Sequence, residues 1–158
     1  MRRLILYLFT TAFFISSCND HLKIEKNNDP QGYADSQLVG SWKITALSCD
    51  VAYDWNNDGT SERDIYSTWS PCERDNLFTF TADTAMGGYK KGTFKINCSV
   101  TKTGEWQIAN TKDLVYIPVG LGAESEKIID MSSVQFRSIL LLTLNGQPAT
   151  ITKTWTRQ

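Results

Sequence analysis

From residue 38 to the end of the chain, hydrophobic and polar side chains alternate with a period of two, the spacing of half-buried strands and not of helices. Trp42, Ile44 and Ala46 share one face, with Lys43 and Thr45 on the other. Residues 77–82 alternate Phe78 and Phe80 with Thr79 and Thr81, and residues 92–100 alternate Phe94, Ile96 and Cys98 with Thr93, Lys95 and Asn97. Residues 104–108 repeat the pattern around Trp106, and residues 114–119 form an apolar run broken by Pro118, the mark of an edge or a strand end. Residues 127–131, 134–144 and 149–157 complete the set. Residues 110–113 read as a turn, and Asn145-Gly146, both tolerant of positive φ, predicts a tight hairpin. Val, Ile, Thr, Phe, Trp and Tyr dominate these segments, and no long amphipathic helix can be written after residue 40. The expectation is an all-β domain of about eight antiparallel strands, enough to close an up-and-down barrel and so remove exposed edges. A two-sheet β-sandwich is the alternative. Only the barrel leaves a cup for one small molecule.

The first residues follow a different rule. Arg2 and Arg3 precede a 12-residue apolar stretch, residues 4–15. That length suits an export signal and falls short of the roughly 20 helical residues that a bilayer core demands. Ile15-Ser16-Ser17-Cys18 then resembles a lipobox, which implies cleavage before Cys18, a thioether-linked lipid on it, and acylation of the new amino terminus. Two or three acyl chains anchor firmly where one is marginal. Residues 19–36 are polar and rich in breakers, and bury too little to offset their backbone entropy. The organisation expected is a signal peptide over residues 1–17, a lipid-anchored tether over 18–36 and one domain over 37–158. The location expected is the cell envelope, on the outer membrane of a Gram-negative bacterium.

Charge and composition narrow the function classes. Loss of residues 1–17 removes two arginines and no acids, taking the formal charge from −1 to −3. No basic cluster points to nucleic acid. The single histidine, His21, lies in the tether, so a histidine-dependent triad or a histidine-ligated zinc site has no ligand inside the domain. With Cys18 assigned to lipid, Cys49, Cys72 and Cys98 remain in a compartment where disulfides persist. Cys72 precedes one strand and Cys98 ends the next, so a Cys72–Cys98 bond would clip a hairpin and leave Cys49 as a buried free thiol or an intermolecular partner. Cys49–Cys72 is the rival pairing.

Three groups of side chains carry candidate chemistry. Asp54-Trp55-Asn56-Asn57-Asp58-Gly59 matches the first half of a calcium loop, with Asp54, Asn56 and Asp58 as ligands and Asp64 in reach. The twelfth position is Ile65 instead of a bidentate glutamate, and an Asx-turn surface loop explains the same residues without a metal. Residues 50–75 hold seven acids against Arg63 and Arg74, a pattern ordinarily found on solvated surfaces. Among the strand aromatics, most are needed for the core; Phe80, Phe94, Trp106 and Tyr116 are the candidates to line a cup. Lys153 alternates with Ile151 and Trp155. Either that face is exposed, the cheaper arrangement, or Lys153 points into a wet cavity as a polar anchor for an anionic ligand.

Gly40-Ser41-Trp42, the Asp54–Gly59 loop, Cys72 with Asp75-Asn76, Phe78-Thr79-Phe80, Cys98 and Gly104-Glu105-Trp106, in this order behind a lipobox, resemble the lipocalin-like domain family of small bacterial lipoproteins. The resemblance implies an eight-stranded barrel in which Trp42 plugs one end and Arg157, near the end of the last strand, packs across it. It implies a module that binds a small apolar or amphipathic ligand, or a protein partner, and not an enzyme. No resident cofactor is implied. The alternative is an envelope interaction protein with a filled barrel, using its acidic loop as the contact surface.

Overall fold

The alternating segments become strands, and the strands close on themselves. The computed structural model describes residues 32–96, 100–110, 112–118, 120 and 122–158. The strands are β1 (Gly40–Tyr53), β2 (Glu62–Asp64), β3 (Leu77–Thr84), β4 (Lys90–Ile96), β5 (Val100–Ala109), β6 (Asp113–Pro118), β7 (Glu124–Met131), β8 (Gln135–Leu144) and β9 (Gln147–Arg157). Every neighbour pairs antiparallel, β3 through β9 in sequence order. β1 pairs with both β3 and β9, so eight strands form a closed up-and-down barrel, not a sandwich. β2 is extra, pairing only with the far half of β1. Two single-turn helices accompany the barrel, α1 (Asp35–Leu38) before β1 and α2 (Ile65–Thr68) after β2.

Inward side chains from all eight strands make one core. One end is packed solid. Trp42, Phe80, Trp106 and Phe136 are fully buried, with Trp42 edge-on to Phe136 at 4.8 Å and Phe80 edge-on to Trp106 at 5.1 Å. Such pairs contribute about 0.5–1.5 kcal/mol beyond the area they bury. The Arg157 guanidinium lies over the Trp42 ring at 4.3 Å and donates to the carbonyls of Ser133, Val39 and Gln37. Trp42 Nε1 donates to the Leu38 carbonyl at 2.7 Å. The plug therefore fastens α1 across the barrel end. Gly92 and Gly104 face each other inside the wall, where a Cβ on either would meet the Phe94 ring, so their missing side chains make room for it.

Several details depart from the sequence pattern. A bulge between Ile44 and Ala46 reverses the alternation in β1: Trp42 and Ile44 point inward, Ala46 is exposed, and Leu47 and Cys49 take the interior. The expected strand over residues 92–100 is two strands, since β4 ends at Ile96 and pairs it with Val100 of β5. β7 starts at Glu124, three residues before the expected 127. The folded unit begins before residue 37, because Tyr33 packs on the core and Asp35 accepts from the Ile108 N–H at 3.0 Å. The Asn145-Gly146 hairpin forms as expected, with φ of 50° and 78°. The signal peptide and Cys18 lie outside the described residues, as does Cys98, the expected partner of Cys72. Cys49 is a free, buried thiol, so the rival Cys49–Cys72 bond is not formed.

Candidate functional site

The end of the barrel opposite the plug is open. β1 pairs with β3 only over residues 40–42; past Trp42 its partners are β2 and β9. The resulting mouth leads to a cavity of about 350 Å³. Ile44, Leu47, Phe78, Ile96, Leu140 and Ile151 form its apolar wall, joined by Trp69, which follows α2, and by Pro118. Asn76, Tyr116, Glu124 and Lys153 are its polar members.

Alternation delivers the polar group from four strands. Tyr116 of β6 stands directly across from Glu124 of β7, and Ser138 of β8 across from Lys153 of β9. Glu126, two positions along β7 from Glu124, is completely buried. Lys153 forms an ion pair with Glu126 through Nζ and Oε1 and lies 3.5 Å from Glu124. The Tyr116 hydroxyl reaches Glu124 at 2.6 Å and Glu126 at 2.8 Å. Ser138 donates to the other Glu126 oxygen at 2.5 Å, and Trp155 Nε1 donates to Ser138 at 2.9 Å. Glu126 thus has a counterion and two further donors, which is what makes a carboxylate tolerable in such a place. Burial, reinforced by the negative charges of Glu126 and Glu124, raises the Tyr116 phenol well above its ordinary range, so Tyr116 remains a hydrogen-bond donor.

Lys153 is not on an exposed face: it is buried in the barrel and lines the cup. The threonines that alternate with it, Thr150, Thr152 and Thr154, take the other side of β9. The reason is Glu126, which turns an otherwise prohibitive interior ammonium into half of a pair. Of the five proposed lining residues, Tyr116 and Lys153 come together here. Phe80, Phe94 and Trp106 do not: they are packed against one another and against Phe78 toward the plugged half, and none lines the cup. The sequence reading missed Glu124, Glu126 and Ser138. The available signal was the two-residue spacing of Glu124, Glu126 and Ile128, hidden by starting the strand too late.

Of the four candidate calcium ligands, Asp54, Asn56 and Asp58 stay together but spend their oxygens on the loop's own N–H groups and on one another, and Asp64 is engaged elsewhere. Asp54 accepts from the N–H groups of Asp58 and Gly59 at 3.0 and 2.9 Å, and Asp58 accepts from the Thr60 N–H at 2.8 Å. Asn56 bonds to Asp58, and Asp64 instead caps α2 by accepting from the Ser67 N–H. These are Asx-turn and helix-cap roles. Among the described residues, no three acidic, histidine or cysteine side chains are grouped to hold a metal ion. Other acids of the same region are similarly engaged: Asp50 with the Thr150 N–H, Glu73 with Ser70, and Asp75 with Lys43. None of them lines the cup among the described residues.

A model of the lipocalin-like domain family matches residues 38–137, from the end of α1 into β8, and so ends before the strand that carries Lys153 and Arg157. No curated protein matches the chain.

Proposed function

The chain belongs to the lipocalin-like domain family, and on that premise we propose that it binds a small, mostly apolar molecule in the open end of its barrel without chemically changing it. The half-open cavity of about 350 Å³ carries this reading. It falls in the volume range of small-molecule sites, about 300–1,000 Å³, and has their composition, an apolar wall with a few convergent polar groups. A filled barrel used only for protein contacts requires no such hollow. The binding reaction is removal of ligand apolar surface from water, worth about 25 cal/mol per Å². Tyr116, Glu124 and Lys153 form the polar side of the cup, against which the polar end of the ligand rests.

The test is titration with the neutral fluorophore N-phenylnaphthylamine, using the chain with Cys18→Ala so that no attached lipid competes. Ile151→Trp and Leu140→Trp each place a large side chain in the cup. Each is expected to weaken probe binding at least about tenfold, while the folded barrel persists by circular dichroism. Equal binding by both variants and the parent chain would refute the proposal.

We further propose that the domain works at the cell envelope, held there by lipid on Cys18 on the outer membrane of a Gram-negative bacterium. No helix among the described residues is long and apolar enough to cross a membrane. The Cys18→Ala protein should leave the membrane fraction and lose labelled palmitate. Retention of both would remove the anchor.

A further inference from the structure

The polar floor of the cup carries more acceptors than donors. Three charged groups meet there, and two of them are carboxylates: Glu126, sealed and already paired with Lys153, and Glu124, whose side chain is 52% exposed at the mouth. Lys153 is thus committed to Glu126 and only grazes Glu124. The Tyr116 hydroxyl has a single proton for two carboxylates, 2.6 and 2.8 Å away, and cannot fully satisfy both. On the same wall Asn76 holds a buried side-chain oxygen with no hydrogen-bond partner among the described residues. Every other residue of the cup wall is apolar apart from the indole of Trp69. The cup therefore presents a net negative, donor-poor floor beneath an apolar wall.

From this surplus we infer that the ligand is an apolar molecule with a cationic, hydrogen-donating head group, such as a primary amine, and that Glu124 receives that head. The inference rests on the cup being a binding site. An anionic head would add a third negative charge to a site with one ammonium, and would find that ammonium taken. An alkylammonium supplies the missing donors and neutralises Glu124, while its chain covers Ile44, Leu47, Leu140 and Ile151. The Tyr116 phenol, held protonated by burial and by the same two carboxylates, stays a donor to Glu124 and orients it.

Octylammonium, octanol and octanoate share one tail and differ only in the head. Their affinities for the Cys18→Ala chain, read by displacement of N-phenylnaphthylamine, test the inference. Octylammonium should bind about tenfold or more tightly than octanoate, with octanol between. Glu124→Gln keeps an acceptor for Tyr116 and removes the charge, at a half-exposed position. It should reduce the ammonium-to-carboxylate ratio about tenfold and weaken octanol by less than it weakens octylammonium. General attraction of cations to an acidic protein would survive Glu124→Gln, so an unchanged ratio overturns the inference. Octanoate binding as tightly as octylammonium overturns it as well. In both of those cases octanol binding keeps the cup as a ligand site. Failure of all three to bind, octanol included, would instead remove the cup itself.

Discussion

Replacing Lys153 with methionine should cost the barrel about 3 kcal/mol, because it strands Glu126. Methionine matches the lysine stem in length and apolar character, so the change removes charge and not packing. Breaking a buried pair by deleting one partner costs about 3–5 kcal/mol in general. The lower end applies here, since Ser138 and Tyr116 continue to donate to Glu126. For a domain of this size that loss lowers the melting temperature by roughly 10 °C. Adding Glu126→Gln should recover at least half of it. The neutral amide no longer needs a counterion, its oxygen accepting from one of the Ser138 and Tyr116 hydroxyls and its NH2 donating to the other, so the cycle should return a coupling of about 2 kcal/mol. Urea unfolding of the parent, both single variants and the double variant, followed by tryptophan fluorescence, supplies all four corners. Trp155, bonded to Ser138 at 2.9 Å, sits beside the network as a reporter. A Lys153→Met variant within about 0.5 kcal/mol of the parent, or fully additive single losses, would show that Lys153 does not neutralise Glu126 and would refute the account of the cup floor.

The other end and the solvent-facing groups give further expectations. Gly40→Ala forces a side chain onto backbone at φ 140°, with its Cβ driven into Arg157 Nη1, and should cost about 1–3 kcal/mol in thermal or urea unfolding. Arg157→Lys keeps the charge but cannot reach three carbonyls with a planar fork, so it should destabilise the plug and redden Trp42 emission. The raised phenol of Tyr116 contributes stability that is complete below the ordinary value of 10.0 and is lost as pH rises above it. Thermal melts should therefore fall steeply on the alkaline side, with one tyrosine titrating only on unfolding. Asp50, Asp58, Glu73 and Asp75 are shifted the other way: hydrogen bonds from Thr150, Thr60, Ser70 and Lys43 respectively lower them. Their contribution is present above the ordinary carboxylate range and declines as pH falls through it, so melts should also drop in mild acid.

What sequence alone conveyed depended on whether a residue acts locally. Asn145-Gly146 announces its hairpin because the turn needs positive φ at adjacent positions and nothing else. The barrel was legible because alternation persists through most strands. Ala46 was misplaced because a bulge in β1 shifts parity by one, and a bulge is set by the strand alongside, here Ile44 against Trp155 and Ala46 against Thr154. Lys153 was misjudged for a related reason. Its burial depends on Glu126, 27 positions away, and only closure of the sheet brings the two together. Local pattern also could not divide the aromatics between plug and cup, since Phe78 and Phe80 alternate identically while only Phe78 lines the cavity.

The distribution of polar groups along the barrel bears on why the cup exists. Every barrel strand contributes apolar anchors to the core, and the plugged half shows that aromatics alone can fill this interior to solid packing. A leucine or methionine at positions 126 and 153 would suit a barrel selected only for stability, because well-packed apolar residues generally equal or exceed a buried ion pair. The chain instead places Glu126, Lys153, Ser138 and the Tyr116 hydroxyl at the boundary between the solid half and the hollow half. Long side chains held by mutual hydrogen bonds cannot collapse into the space above them, so the network both floors the cavity and keeps it open. Its stability cost is then the cost of having a cup. If so, the double variant that combines Lys153→Met with Glu126→Gln need not be less stable than the parent, yet it should bind N-phenylnaphthylamine more weakly as the freed side chains settle into the hollow. A double variant that binds the probe as tightly as the parent would show that the cavity holds its shape without the network, and would reduce those four residues to a buried polar cluster with no part in recognition.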